Sequence, residues 1–112
     1  MDERIELSGE LGKYTYWAYP VNTTFKDEPG NYIYAKRNSG GKWQAVYIGQ
    51  TSSLSQRLAS LETEQTAISW GATHILAHLN VDERARKREE ADLISTLVPP
   101  LIDPVGRSTP TR

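Results

Sequence analysis

Val46-Tyr47-Ile48-Gly49-Gln50-Thr51-Ser52-Ser53-Leu54-Ser55-Gln56-Arg57-Leu58 is the stretch on which the rest of the chain is organised. It reads as the end of a strand, a tight turn at Gly49 and the start of a helix. Val46 and Ile48 point to one face of the strand and Tyr47 to the other. Gly49 allows a close backbone approach that a side chain would obstruct. Ser52 or Ser53 is placed to cap the helix, because a short hydroxyl accepts from its free N–H groups. Leu54, Leu58 and Leu61 then form an apolar stripe at helical spacing, with Arg57 at its edge. The unit delivers a phenol and a guanidinium to one cleft, as phosphodiester chemistry requires. The alternative is a surface tyrosine beside a solvated arginine.

Working outward, Asn31-Tyr32-Ile33-Tyr34-Ala35-Lys36 is read as the preceding strand, with Tyr32 and Tyr34 on one face. Arg37 to Lys42 holds two glycines and reads as a hairpin loop. The return strand from Trp43 to Ile48 then brings Tyr47 beside Tyr32. Upstream, Lys13 to Tyr19 is rich in strand-favouring aromatics and stops at Pro20. Those aromatics either fill the core or offer a stacking surface for unpaired bases. Residues 1–12 are polar and are a frayed end or a short edge segment.

Downstream, a second helix is expected from about Thr63 to Trp70, ended by Gly71, and a strand from Thr73 to Leu79. The histidines of that strand, His74 and His78, share a face with Leu76 and are packed, hydrogen-bonded or functional. Asp82 caps a last helix from Glu83 to about Leu97, whose stripe is Leu93, Ile94 and Leu97. Glu90 falls in line with that stripe and Glu89 off its centre. An inward carboxylate needs a partner. Either Arg86 pairs with Glu90 at i,i+4 spacing, or a hard divalent cation binds there. Pro99-Pro100 stops the helix, Leu101-Ile102 is expected to pack back, and 104–112 reads as a mobile tail.

The chain has 112 residues, 38% hydrophobic and 24% charged, with no cysteine and a net charge of −1. This composition indicates a single domain spanning 1–112. It excludes disulfides, zinc–thiolate sites and cysteine nucleophiles. No apolar run suggests a signal peptide or membrane span, so a cytoplasmic protein with no membrane partner is expected. The near-neutral charge argues against a long duplex footprint, because phosphate neutralisation dominates such binding.

Gly30-Asn31-Tyr32, Tyr47-Ile48-Gly49, Arg57 and Glu90-Ala91-Asp92-Leu93-Ile94 followed by Pro99-Pro100, in this order, resemble the GIY-YIG nuclease family. Gly71-Ala72-Thr73-His74 is similar to a segment of small stand-alone members. The resemblance covers roughly residues 29–103. It implies an α/β fold with a small, mainly antiparallel sheet flanked by helices, and hydrolysis of nucleic-acid phosphodiesters with one divalent ion, Mg²⁺ or Mn²⁺. By position, Glu90 would hold the metal and Arg57 would stabilise phosphoryl charge. Tyr32 and Tyr47 would orient and deprotonate water, and His74 would assist. Gln50, Ser52, Trp43 and Lys36 are the candidates for contacting nucleic acid. Two positions depart from the pattern. Gln50 stands where some members have lysine, and Asp103 is the only polar residue near a common asparagine.

The favoured target is single-stranded or structured DNA, cut by a monomer or weak dimer. Duplex cleavage of homing or restriction type is one alternative. An inactive nucleic-acid-binding module and a protein-interaction domain are two others.

Overall fold

The computed structural model describes residues 3–101. Its elements are β1 (Glu3–Ser8), β2 (Lys13–Pro20), β3 (Gly30–Arg37), β4 (Trp43–Thr51), α1 (Leu54–Leu58), α2 (Leu61–Ser69), β5 (His74–Leu79) and α3 (Glu83–Leu97). The strands form one antiparallel sheet in the order β1-β2-β5-β3-β4. The fold is therefore mixed α/β, as expected. No helix among the described residues is long and apolar enough to cross a membrane.

Strand alternation divides the core in two. Tyr32, Tyr34, Tyr47, Ile75 and Ala77 project to the face covered by Leu54 and Leu58 of α1 and Ala67 of α2. Ile5, Tyr16, Ile33, Ile48 and Leu76 project to the other face, against Leu93 of α3. Residues 3–8 are an edge strand, resolving the choice left open for the N-terminal segment.

The β3–β4 hairpin closes on Asn38, whose Oδ1 accepts from the Gly40 and Lys42 N–H groups while Gly41 takes φ +80°. Three capping residues start the helices: Ser53, Ser60 and Asp82 each accept from a first-turn N–H. Gly71, at φ +99°, follows the end of α2 as its sequence position suggested.

Three expectations change here. Val46 does not share a face with Ile48: the β3–β4 register shifts between Tyr34 and Ala35, leaving Val46 as the extra residue of a bulge, so it packs on the Tyr47 side while Ile48 faces α3. Gly49 lies inside β4, so the chain does not turn at it. The expected continuous helix from Ser53 to Leu61 breaks at Ala59, and Ser60 caps a new helix. Leu61 consequently leaves the Leu54–Leu58 stripe and is 64% exposed. Beyond α3, Leu101 is buried and its N–H donates to the Val46 carbonyl. The expectations for Ile102, Asp103 and 104–112 lie outside the described residues.

Asp92 of α3 holds the β1–β2 turn. Its carboxylate accepts from the Glu10 and Leu11 N–H groups and from the Tyr14 hydroxyl. A Cβ on Gly9 would lie 2.1 Å from Asp92 Oδ2, so glycine is needed for this approach. The Tyr14 hydrogen bond, with help from the two N–H groups, holds the Asp92 carboxyl below its ordinary range. Its contribution to stability is thus present above the unfolded carboxyl pKa and is lost as pH falls through the folded value. Asp92→Ala should lower the melting temperature at neutral pH, and the gap from wild type should close on acidification through that range. A pH-independent gap in thermal melts would contradict this.

Candidate active site

Tyr32 of β3 and Tyr47 of β4 lie on the same sheet face, with ring centroids 6.1 Å apart. Arg57, one turn after Leu54 on α1, reaches back over them. Its Nε donates to Tyr32 Oη at 2.9 Å and its Nη2 to Tyr47 Oη at 3.4 Å. The Nη1 edge of the guanidinium has no protein partner among the described residues. Directly across the β3–β4 ladder from Tyr32 is Gly49. A Cβ there would sit 2.4 Å from Tyr32 Oη, so the missing side chain makes the space in which the phenol lies. The glycine expected to serve a turn instead serves the phenol.

Burial pushes the Tyr32 pKa well above the ordinary phenol value, and the Tyr47 phenol adds to this while Arg57 opposes it. Tyr32 is therefore a neutral phenol at physiological pH. Burial works against the Arg57 charge, but the two phenol oxygens outweigh it, and the Arg57 pKa is raised.

Glu90 approaches from the other side. α3 packs over β4 and β3, and β4 is an edge strand. Glu90 is half-buried, and desolvation raises its carboxyl pKa while the charges of Arg57 and Lys87 lower it. The carboxylate thus lies within the field of the arginine that binds the two tyrosines. Among the described residues no cluster of three or more His, Asp or Glu side chains could hold a metal ion.

No protein-family model, curated protein or solved structure matches the chain.

The other candidates are not brought to this site. His74 and Trp43 lie on the opposite, α3-facing side of the sheet, stacked edge-to-face with centroids 5.1 Å apart. The Arg37 guanidinium covers Trp43, 4.5 Å from the ring centroid, so this indole is already occupied. Lys36 shares the tyrosine face but donates to the Trp70 carbonyl at the end of α2. Gln50 follows Gly49 but faces α3, where its Oε1 accepts from Arg86 Nε at 3.0 Å. Ser52 is exposed just before the helix, and Ser53 takes the capping role.

Glu89, expected off the stripe, is 4% exposed, and Arg86 is 5% exposed. The stripe of α3 runs through Arg86, Glu89 and Leu93, leaving Ile94 part-buried and Leu97 37% exposed. Nor does Arg86 pair with Glu90, since its guanidinium goes to Gln50 and to the Asn80 carbonyl. Periodicity alone missed this because the polar residues opposite α3 attract polar, not apolar, helix positions. The available signal was the polar residue at each of three strand positions: Asn31, Gln50 and His78.

Proposed function

We propose that the chain is a metal-dependent endonuclease of GIY-YIG type acting on single-stranded or structured DNA. The observation that carries this reading is the convergence of Tyr32, Tyr47 and one edge of the Arg57 fork, with the field of Arg57 reaching Glu90. Hydroxyl, guanidinium and carboxylate are the groups phosphodiester hydrolysis needs, and the second edge of the Arg57 fork is available to phosphoryl oxygens.

Glu90 suits a single Mg²⁺ or Mn²⁺. Such ions are bound through one or two carboxylates, with water and substrate phosphate completing the shell. When bound, the ion would supply Lewis-acid stabilisation of the phosphate and leaving oxygen. The protein's own groups do the rest. Arg57 binds the phosphate and stabilises its developing charge. Tyr32, kept neutral by burial, orients the attacking water through its hydroxyl. Tyr47, also held by Arg57, would act as the base in its phenolate form, its own proton having gone to solvent, and take the proton of the water.

A groove on the tyrosine face favours an unpaired strand. It has a volume of about 650 Å³ and is lined by Trp17, Tyr19, Phe25, Leu54 and Leu79 among others. Trp17 is 39% exposed. It pairs with Ala77, which pairs in turn with Tyr32, so the indole and the phenol stand two strand spacings apart, about 10 Å. An unpaired base can stack on the indole, since every base has a π-face.

The test is cleavage of labelled single-stranded, branched and duplex DNA with Mg²⁺, Mn²⁺ or EDTA. Metal-dependent cutting of the single-stranded or branched substrate is expected. Trp17→Ala should weaken single-strand binding by about 1–3 kcal/mol, and Trp43→Ala should leave it near wild type. Preferential duplex cutting, or equal effects of the two tryptophans, would count against the substrate assignment. No cutting of any substrate would count against the enzyme.

A further inference from the structure

Three buried polar side chains among the described residues, Asn31, Arg86 and Glu89, take no part in the chemistry above. Gln50, Asn31 and His78 pair across β4, β3 and β5, and the Tyr16 ring of β2 packs edge-to-face on His78, with centroids 4.7 Å apart. All four face α3. Two α3 residues clamp this row. Glu89 Oε2 accepts from the Tyr16 hydroxyl at 2.5 Å and lies 2.6 Å from His78 Nε2. Arg86 donates from Nε to Gln50 and from Nη1 to the Asn80 carbonyl, each at 3.0 Å. The Arg86 carbonyl accepts from Asn31 Nδ2 at 3.0 Å, and Asn80 Nδ2 donates to Asn31 Oδ1 at 3.1 Å.

Burying a carboxylate and a guanidinium is a poor way to gain stability, since apolar residues of the same volume usually do as well or better. Directional bonds to four strands give something apolar packing does not, a single rotation and height for α3 on the sheet. Glu90 follows Glu89 directly and lies one turn beyond Arg86. Rotating a helix by about 20° moves a side-chain tip at a radius of 5–6 Å by about 2 Å. Misplacing a reacting group by about 1 Å can cost roughly 10²-fold in rate.

We propose that the Arg86–Glu89 clamp, with Asn31 and Gln50 as its anchors on the sheet, aims Glu90 around the β4 edge toward Arg57. These four are positioning residues. The inference rests on the reading of Glu90 as a metal carboxylate. It also accounts for the polar residue at position 31, whose amide is the link between β3 and the α3 backbone.

The test compares wild type, Gln50→Met, Arg86→Met and Glu90→Gln by three measurements: Mn²⁺ binding by electron paramagnetic resonance, single-stranded DNA binding in EDTA, and thermal melting. Wild type should bind Mn²⁺ and Glu90→Gln should not. Gln50→Met and Arg86→Met should weaken Mn²⁺ binding by about 10–100-fold, the usual effect of losing an outer-shell support. DNA binding in EDTA should stay at the wild-type value, because the groove and Arg57 are untouched. Unchanged Mn²⁺ affinity in folded Gln50→Met overturns the clamp while leaving the metal carboxylate standing. Mn²⁺ and DNA affinities falling together in both variants also overturns it, since that is simple loss of structure. Equal Mn²⁺ binding by wild type and Glu90→Gln overturns the metal assignment and the clamp with it. If Arg86→Met does not fold, Gln50→Met decides alone, since Gln50 is half-exposed on an edge strand.

Discussion

Glu90→Gln is expected to abolish metal-dependent cleavage while leaving a folded protein that binds DNA. The substitution keeps size and hydrogen-bonding shape but removes the charge that would hold a hard cation. Lewis-acid stabilisation by a bound ion is worth several kcal/mol, and each 1.36 kcal/mol is tenfold in rate, so a loss of about 10²–10⁴-fold is expected. Stability should change little, because Glu90 is half-buried and Arg86 bonds elsewhere. Removing the charge in fact removes a desolvation cost, so the melting temperature should hold or rise slightly. A variant that cuts at the wild-type rate would end the metal-carboxylate role. A variant that melts well below wild type would show that Glu90 is a structural ion-pair partner after all.

The same carboxylate sets the acid limb of the pH profile. Burial raises its pKa, with Arg57 and Lys87 opposing. Protons therefore compete with metal at a higher pH than at an ordinary carboxylate, and binding requires the deprotonated form. Activity should fall on acidification from above the usual carboxylate range. Raising the metal concentration should move that limb to lower pH. Rate profiles at two Mg²⁺ concentrations would show this, and superimposable limbs would contradict it.

What could be read from the chain alone follows from which signals are local. The β3–β4 hairpin, the Asp82 cap and the facing of Tyr32, Tyr47 and Arg57 depend on alternation, turn chemistry and one helical turn. These are encoded within a few residues. The break at Ala59 was not legible from the leucine spacing, which runs through it, although Ser60 is a capping residue in plain view. The rotation of α3 was not legible because it is decided by the sheet beneath it. An apolar stripe predicts the inward face only when the opposing surface is apolar, and here Tyr16, Asn31, Gln50 and His78 present polar groups. His74 is a different case, because its facing was legible from strand alternation. Its position in the chain suits the resemblance, but strand parity with Leu76 turns it to the α3 face.

The two motif glycines, Gly30 and Gly49, are expected to fail differently when given a methyl group. In Gly30→Ala the new Cβ would lie 2.3 Å from the His78 carbonyl oxygen and 2.9 Å from Leu54 Cδ1. The carbonyl belongs to β5, at the centre of the sheet, and it cannot retreat without opening the β3–β5 ladder. The cost should reach or exceed the upper end of the roughly 1–3 kcal/mol typical of overpacking. That lowers the melting temperature of a domain this size by roughly 10–20 °C. In Gly49→Ala the clash is with a side-chain tip, Tyr32 Oη at 2.4 Å and Cζ at 2.5 Å. A ring can swing where a ladder cannot, so this variant should fold. The swing, however, takes the phenol off Arg57 Nε, and cleavage should fall by about 10²-fold for a displacement near 1 Å. Melting curves and cleavage rates on the two variants separate the cases. A double variant isolates the cause, because in a Tyr32→Ala background Gly49→Ala has no ring to displace and should cost no further stability. Gly30→Ala in that background should cost as much as before, since its obstacle is backbone. Wild-type melting in Gly30→Ala, or wild-type cleavage in Gly49→Ala, would mean that the glycines are tolerated for some other reason than the space they leave.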